Sequence, residues 1–428
     1  MNYEFHACYP FALRDSVTQA FAIEWLSGKS SDLPHHWQEI GDIQDPLQRI
    51  AILSQAIATP YKEQARMGTR QDPGGFRYWV EHESHAFLQT RLAQMKRLGL
   101  LPTLPDISAL PHGTWAIQFT FTLRTPYISK DDVGLHILDN PVRKDRVFGL
   151  PMVASTGWKG ALRAALREAH GWDDDHPDLL RLCGDARDDE TGHAGRLYFY
   201  PTFFTRLGLE VINPHDRQSN AGKQPIYFEC VPAGAQGDFT LLYVSFDRVG
   251  EDEDETRRQA LADLETVAAG IEAMMTRYGF GAKTSVGFGL AKETVSDGML
   301  TCRIAELVTA PSAAEPALAP VQDLPRYLEA PGRLKPAYLT ADGTFRDRNE
   351  AELKAMKRAD RQLYDKAKAW WEREGKALAQ QGPQPPPAVA VPPPAPTPTW
   401  PSWNFASFDE LATLAGQVAE QLIPGGAQ

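Results

Sequence analysis

Residues 149–163 read Gly-Leu-Pro-Met-Val-Ala-Ser-Thr-Gly-Trp-Lys-Gly-Ala-Leu-Arg. An apolar extended run reaches a turn of small residues. A helix then opens, with Lys159 and Arg163 one turn apart on the same side. Backbone N–H groups at a helix N-terminus lack intrahelical partners and carry the positive end of the dipole. Ser155, Thr156, Gly157 and Gly160 allow close approach to that end. The junction therefore reads as a phosphate cradle, with Lys159 supplying a point charge.

The chain around it divides by texture. Residues 1–110 read as mainly helical; Asp45-Pro46 is a cap followed by Pro at the first helical position. Lys62, Arg66, Arg70 and Arg77 crowd this region and either touch RNA or form a solvated face, the second being the expected reading. Residues 111–305 alternate strand and helix. Strands are expected over 115–123, 197–204, 225–231, 238–246 and 288–295, and helices over 156–170 and after the acidic run 251–255. Strand, helix, strands, helix, strand is the order of a ferredoxin-like βαββαβ unit with insertions, an α+β fold. The RRM-like sheet of such a unit is a common platform for single-stranded RNA. Beyond it come an Ala/Pro-rich irregular segment (306–345), a charged helix (346–380), a Pro-rich linker (381–399) and an amphipathic tail helix (400–428).

The net charge of −11 argues against a nonspecific polyanion binder but leaves room for a local basic groove. Four cysteines, Cys8, Cys183, Cys230 and Cys302, lie far apart with no CxxC. They read as reduced thiols of a cytoplasmic protein, neither a zinc site nor a disulfide framework. No signal peptide or membrane span is expected. A Walker A motif is absent, which excludes a P-loop NTPase.

Four segments, in order, resemble the RAMP superfamily, the repeat-associated proteins of CRISPR effector complexes. They are Gly134-Leu135-His136-Ile137 with Asp139-Asn140-Pro141-Val142-Arg143-Lys144-Asp145; Gly149 to Arg163; Leu182-Cys183-Gly184 with Gly195-Arg196-Leu197-Tyr198-Phe199; and the glycine-rich run Gly279 to Gly289. Ala154, Thr156, Trp158 and Pro201 depart from the family's usual residues. The resemblance implies a ferredoxin-like RAMP core that binds CRISPR guide RNA, packs on other RAMP subunits and meets target RNA only indirectly. The stretches 212–216 and 224–228 resemble the sixth subunit of the Cmr (type III-B) complex, which is implied not to be the nuclease. The Asp139 segment resembles backbone-type subunits instead, where the matching aspartate is implied to cut target RNA with Mg²⁺.

Lys159 and Arg163 are the leading RNA contacts. Gly279, Gly281, Gly287 and Gly289 permit positive φ and close approach to phosphate, with Lys283 as the charge; the alternative is a tight packing turn. Arg143 and Lys144, with Arg146, form a basic cluster that touches phosphate or pairs with Asp139 and Asp145. His136 either bonds RNA or is a structural loop histidine. Asp139 is the candidate catalytic and Mg²⁺-binding residue, helped by Asp131 and Asp132; the alternative is a turn-capping Asp before Asn-Pro. The function expected is a guide-RNA-binding structural subunit of a type III effector in antiviral defence. A metal-dependent endoribonuclease and an RNA-binding protein outside CRISPR are the alternatives.

Overall fold

A computed structural model describes residues 16–32, 41, 43–130, 135–185, 192–213, 225–303, 325–330, 333–340, 344–376 and 400–422. Cys8, Asp131, Asp132, Gly134, His215 and the proline-rich stretch 382–398 fall outside these residues. The chain forms two compact units, 1–309 with 399–428, and 310–398.

The first unit is built on an antiparallel sheet. Strand β1 (Trp115–Leu123) alternates along most of its length: Trp115, Ile117, Phe119, Phe121 and Leu123 are buried, while Gln118, Thr120 and Thr122 are half-buried. A period of two places the apolar set on one face and the polar set on the other. Strands β2 (Met152–Val153), β3 (Leu197–Phe199), β4 (Thr202–Phe203), β5 (Gly208–Ile212), β6 (Ile226–Cys230), β7 (Gln236–Tyr243) and β8 (Ala291–Cys302) follow. The large sheet has the order β11-β8-β1-β7-β3, where β11 (Ser402–Ser407) comes from the C-terminal segment. Its other four strands, with a long crossover helix and a short one between β1 and β3 and another helix between β7 and β8, are the expected ferredoxin-like βαββαβ unit.

Helices cover the apolar face. Before β1 lie α1 (Ser16–Leu26), α2 (Pro46–Leu53), α3 (Lys62–Arg66), the single turn α4 (Gly75–Tyr78) and α5 (Ser84–Arg97). Asp45 caps α2 by accepting from the Leu47 N–H. The crossover helix α6 (Ser155–His170) buries Trp158, Leu162, Ala165 and Leu166, and Gly171 ends it in the left-handed conformation. A short helix α7 (Pro177–Cys183) starts at His176 and Pro177. Helix α8 (Glu253–Ala273) buries Leu261, Leu264, Val267 and Ile271. The helix starts within the acidic run and not after it: Asp252 caps the helix, and Glu253, Asp254 and Glu255 fill its first turn. Their charge offsets the dipole there, by about 0.3–1 kcal/mol each at exposed positions.

Other expectations change for local reasons. The strand expected over 197–204 breaks in two at Pro201, which has no N–H for the ladder. β3 pairs with β7, and β4 turns aside to pair with β2. The strand near 225–231 joins no main-sheet partner; β6 forms a separate hairpin with β5. The 288–295 strand is longer, 291–302, and continuous. The C-terminal segment is a strand followed by a helix, α11 (Phe408–Leu422).

Within the second unit, β9 (Leu328–Ala330) and β10 (Arg333–Leu334) form a small hairpin. The expected single charged helix is two, α9 (Glu350–Ala355) and α10 (Arg358–Trp370). Leu334, Ala367 and Trp370 are their buried core, with Tyr327, Tyr338, Phe345 and Trp371 packed around it.

Candidate nucleic-acid interface

The small-residue turn sits where the sequence places it. Ala154 occupies the cap position of α6 and supplies no side-chain hydrogen bond. Gly157 N–H donates to the Ala154 carbonyl at 2.8 Å, which leaves the Thr156 N–H as the donor that a capping side chain would otherwise take. Thr156, Gly157, Lys159 and Gly160 are exposed and Ser155 is half-buried. A side chain built on Gly160 would meet nothing within 4 Å. Between them Trp158 points inward, donating to Thr202 Oγ1 at 3.0 Å and packing 4.6 Å from the Phe280 ring. This indole packs the α6 start against the glycine-rich run from the inside.

Arg163 is less free than its spacing suggests. Its guanidinium donates to the Asp174 carbonyl at 2.8 Å and pairs with the Asp174 carboxylate at 3.3 Å. Arg167 pairs with the same carboxylate. Burial pushes the nearby Cys183 thiol up to about 11, against the pull of Lys159 and Arg163.

The glycine-rich run is a packing turn with one open corner. Gly279, Gly281, Gly287 and Gly289 all have positive φ. The turn docks on the chain after β1: Ala282 N–H donates to the Ile128 carbonyl at 2.7 Å, and Gly289 N–H to that of Pro126 at 2.9 Å. A Cβ on Gly289 would lie 1.9 Å from the Phe280 oxygen, so only glycine fits there. Gly287 differs: φ is +92° and no atom lies within 4 Å of a Cβ placed there, which leaves room for a ligand. Lys283, itself at φ +59°, is exposed and lies 5.3 Å above the Phe228 ring.

β6 gathers the remaining candidates. The Glu229 N–H donates to the Asn140 carbonyl at 2.9 Å. The Glu229 carboxylate is fully buried; it accepts from the Val142 N–H at 3.0 Å and holds the Lys144 ammonium. His136 Nε2 lies 3.9 Å from the other Glu229 oxygen, and its ring meets Phe76 edge-on. Lys144 and His136 thus serve the interior of the loop. Arg143 stays exposed, its N–H anchored on Ser129 Oγ at 2.8 Å.

Asp139 has a partner that sequence reasoning missed. Arg66, read as part of a solvated face, is 3% exposed and donates to Asp139 Oδ2 at 2.7 Å. The same guanidinium stacks over Tyr227 and approaches Glu63. Among the described residues no group of three His, Cys, Asp or Glu side chains is placed to hold a metal. Among the described residues Asp139 is a single carboxylate with one oxygen on a guanidinium, fewer oxygen ligands than Mg²⁺ takes. Glu229 carried a faint signal, a carboxylate inside an otherwise apolar strand; its partners, 85 and 87 residues away, carried none.

The other face of the main sheet carries polar side chains, among them Gln118, Thr120, Thr122, Asp238 and Asn404, and among the described residues it shows no aromatic row for base stacking. Tyr198 is exposed near the edge, but Phe204 is buried.

Three comparisons bear on this geometry. Residues 120–292 match the family model described as the RAMP superfamily, so the resemblance read from the motifs holds across that segment. Among curated proteins, the CRISPR system Cms endoribonuclease Csm3 of Mycobacterium tuberculosis is 28% identical over 183 residues, covering 36% of this chain and 74% of that protein. Among solved structures, a chain of the type III-B Cmr-beta complex bound to cognate target RNA aligns over 66% of this chain and 88% of its own, at 16% identity and a TM-score of 0.34. A chain of the Csm3–Csm4 subcomplex of a type III-A interference complex aligns over 45% and 81%, at 17% identity and a TM-score of 0.27. No helix among the described residues is long and apolar enough to cross a membrane.

Proposed function

We propose that the chain is a guide-RNA-binding structural subunit of a type III CRISPR effector ribonucleoprotein, working in the cytoplasm beside other RAMP subunits. The observation that carries this reading is the start of α6 packed against the glycine-rich turn. An uncapped helix start, exposed Lys159 and open Gly160 are tied through Trp158 and Phe280 to the turn bearing Lys283 and open Gly287. Such a surface grips phosphate and shape and reads no bases, which suits a guide whose sequence is read by pairing. The curated Csm3 relative and the RAMP segment support the type III assignment. The relative found is a Csm3, so likeness to the sixth Cmr subunit rests on motifs alone.

The test is RNA affinity against salt. Lys159→Ala with Lys283→Ala should weaken single-stranded RNA binding. The plot of log affinity against log salt should flatten by about 0.7 for each phosphate no longer neutralised. Unchanged affinity and slope would remove this surface from the RNA path.

A second reading has one observation in its favour, the word endoribonuclease in the relative's name. Asp139 is the residue it would use. The Arg66 ion pair at that carboxylate weighs against it. Target cleavage by the assembled complex that survives Asp139→Ala would eliminate this reading.

A further inference from the structure

The second unit carries a charge balance opposite to that of the chain as a whole. Residues 310–398 contain thirteen Lys and Arg against eleven Asp and Glu, a net +2 inside a chain of net −11, and residues 325–376 hold all thirteen cations against nine acids. The unit lies outside the RAMP-matched segment, which ends at 292. Its fold has its own source of stability: the small core of Leu334, Ala367 and Trp370 with its surrounding aromatic rings.

The cations concentrate where α9 passes into α10. Lys354, Lys357, Arg358 and Arg361 fall within eight residues, and all four are exposed. Lys354 meets Glu350 at 3.7 Å, a solvent-exposed pair. Lys357, Arg358 and Arg361 have no ion pair among the described residues. Helical periodicity turns Arg358, Arg361 and Lys366 away from the buried Tyr364, Ala367 and Trp370. Asp360 and Asp365 interrupt the patch without cancelling it. Cations in a first helical turn oppose the macrodipole, so Lys357 and Arg358 are placed against the helix's own preference. A polyanion reverses that penalty. Guanidinium forks match the oxygens of a phosphodiester and stay charged at any working pH.

The connection in the chain is also informative. β8 ends at Cys302 and β11 begins at Ser402, and Ser402 pairs with Thr301 in the sheet. The Cys302 N–H donates to the Pro401 carbonyl at 3.1 Å. In sequence the second unit is thus an insertion between two paired strands of the first.

We propose that residues 325–376 form a second RNA-binding surface, distinct in sequence from the α6 and glycine-run groove, that holds phosphodiester backbone through Lys357, Arg358, Arg361 and Lys366. The proposal rests on the RNA-binding reading above and adds a site to it.

The full-length protein tests it with one mixed-sequence single-stranded RNA of about 40 nucleotides, titrated at several salt concentrations. The charge reversal Lys357→Glu, Arg358→Glu, Arg361→Glu should weaken binding at least tenfold. It should also lower the salt slope by about 2, as expected when three phosphates of a single strand lose their cations. Lys357→Gln, Arg358→Gln, Arg361→Gln covers the case in which reversal disturbs folding, with circular dichroism as the control. Wild-type affinity and slope in both triple variants, alongside weakened binding by Lys159→Ala, would overturn this site and leave the groove standing. Failure of the wild-type protein to bind RNA would overturn the RNA-binding reading itself, and this site with it. Binding of a poly-glutamate peptide in preference to RNA would assign the patch to an acidic protein and also overturn the proposal.

Discussion

Glu229 shows how much one buried charge organises. Its backbone and carboxylate fix Asn140, Val142 and Lys144, three points on the loop that carries Asp139 and Arg143. Arg66 holds Asp139 from the helical region. The loop is therefore pinned by two long-range ion pairs in place of regular secondary structure. Removing one partner of a buried pair leaves the other charge uncompensated, at a cost of about 3–5 kcal/mol. Glu229→Ala should lower unfolding stability by roughly that amount in urea titrations. Glu229→Ala together with Lys144→Met should recover part of the loss; no recovery would mean that Lys144 is not the charge Glu229 balances. The residue types in this loop were legible in sequence, and so was the segment that bears them. The pairings were not, because Arg66 and Asp139 are 73 positions apart and periodicity carries no information about such contacts.

At the scale of elements, period-two and period-3.6 patterns located β1, α6, α8 and their order, and the order alone pointed to the ferredoxin-like sheet. The failures have local causes. Pro201 splits one strand, and β6 looks like its neighbours in sequence yet forms its ladder with β5, outside the main sheet, with one further bridge from Phe228 to Asn140. β11 escaped notice because Ser402–Ser407 is a short, polar edge strand with one buried residue, Phe405. Its importance appears only in the packing: Phe405 and Phe408 lie edge-on to Phe119 at 6.1 and 5.3 Å. Leu411, Ala415 and Val418 continue the same buried face along α11. The tail therefore completes the sheet. Phe408→Ala should cost about 3–5 kcal/mol, the range for an aromatic removed from a packed core. Its thermal midpoint should fall with that loss, whereas Glu420→Ala on the exposed side should leave the midpoint unchanged. Equal midpoints for the two variants would show that the tail does not share the core.

For the whole molecule, the scattered cysteines and the acidic balance say what kind of environment the fold tolerates. Cys183, Cys230 and Cys302 are buried and unpaired. Burial pushes all three thiols up, Cys183 from 9.0 to about 11. Burial likewise raises the Tyr127 and Tyr243 hydroxyls, the second also through the neighbouring Asp263 charge. Each of these groups is neutral in its protonated form, and the fold favours that form. Their stabilising contribution is therefore complete below the unfolded value and disappears as pH rises through the folded one. For Cys183 that window runs from about 9 to about 11. Unfolding free energy should hold steady between about pH 7 and 8.5 and decline above about pH 9, as urea midpoints at stepped pH would record. The thiols should resist alkylation at about pH 8, since both thiolate and access are missing, and should react at once when urea unfolds the chain. Rapid alkylation of Cys183 in the native protein would mean that the α6–α7 packing opens, and with it the support beneath Lys159 and Arg163. The chemistry of a buried thiol thus reports on the rigidity of the surface proposed to hold the guide.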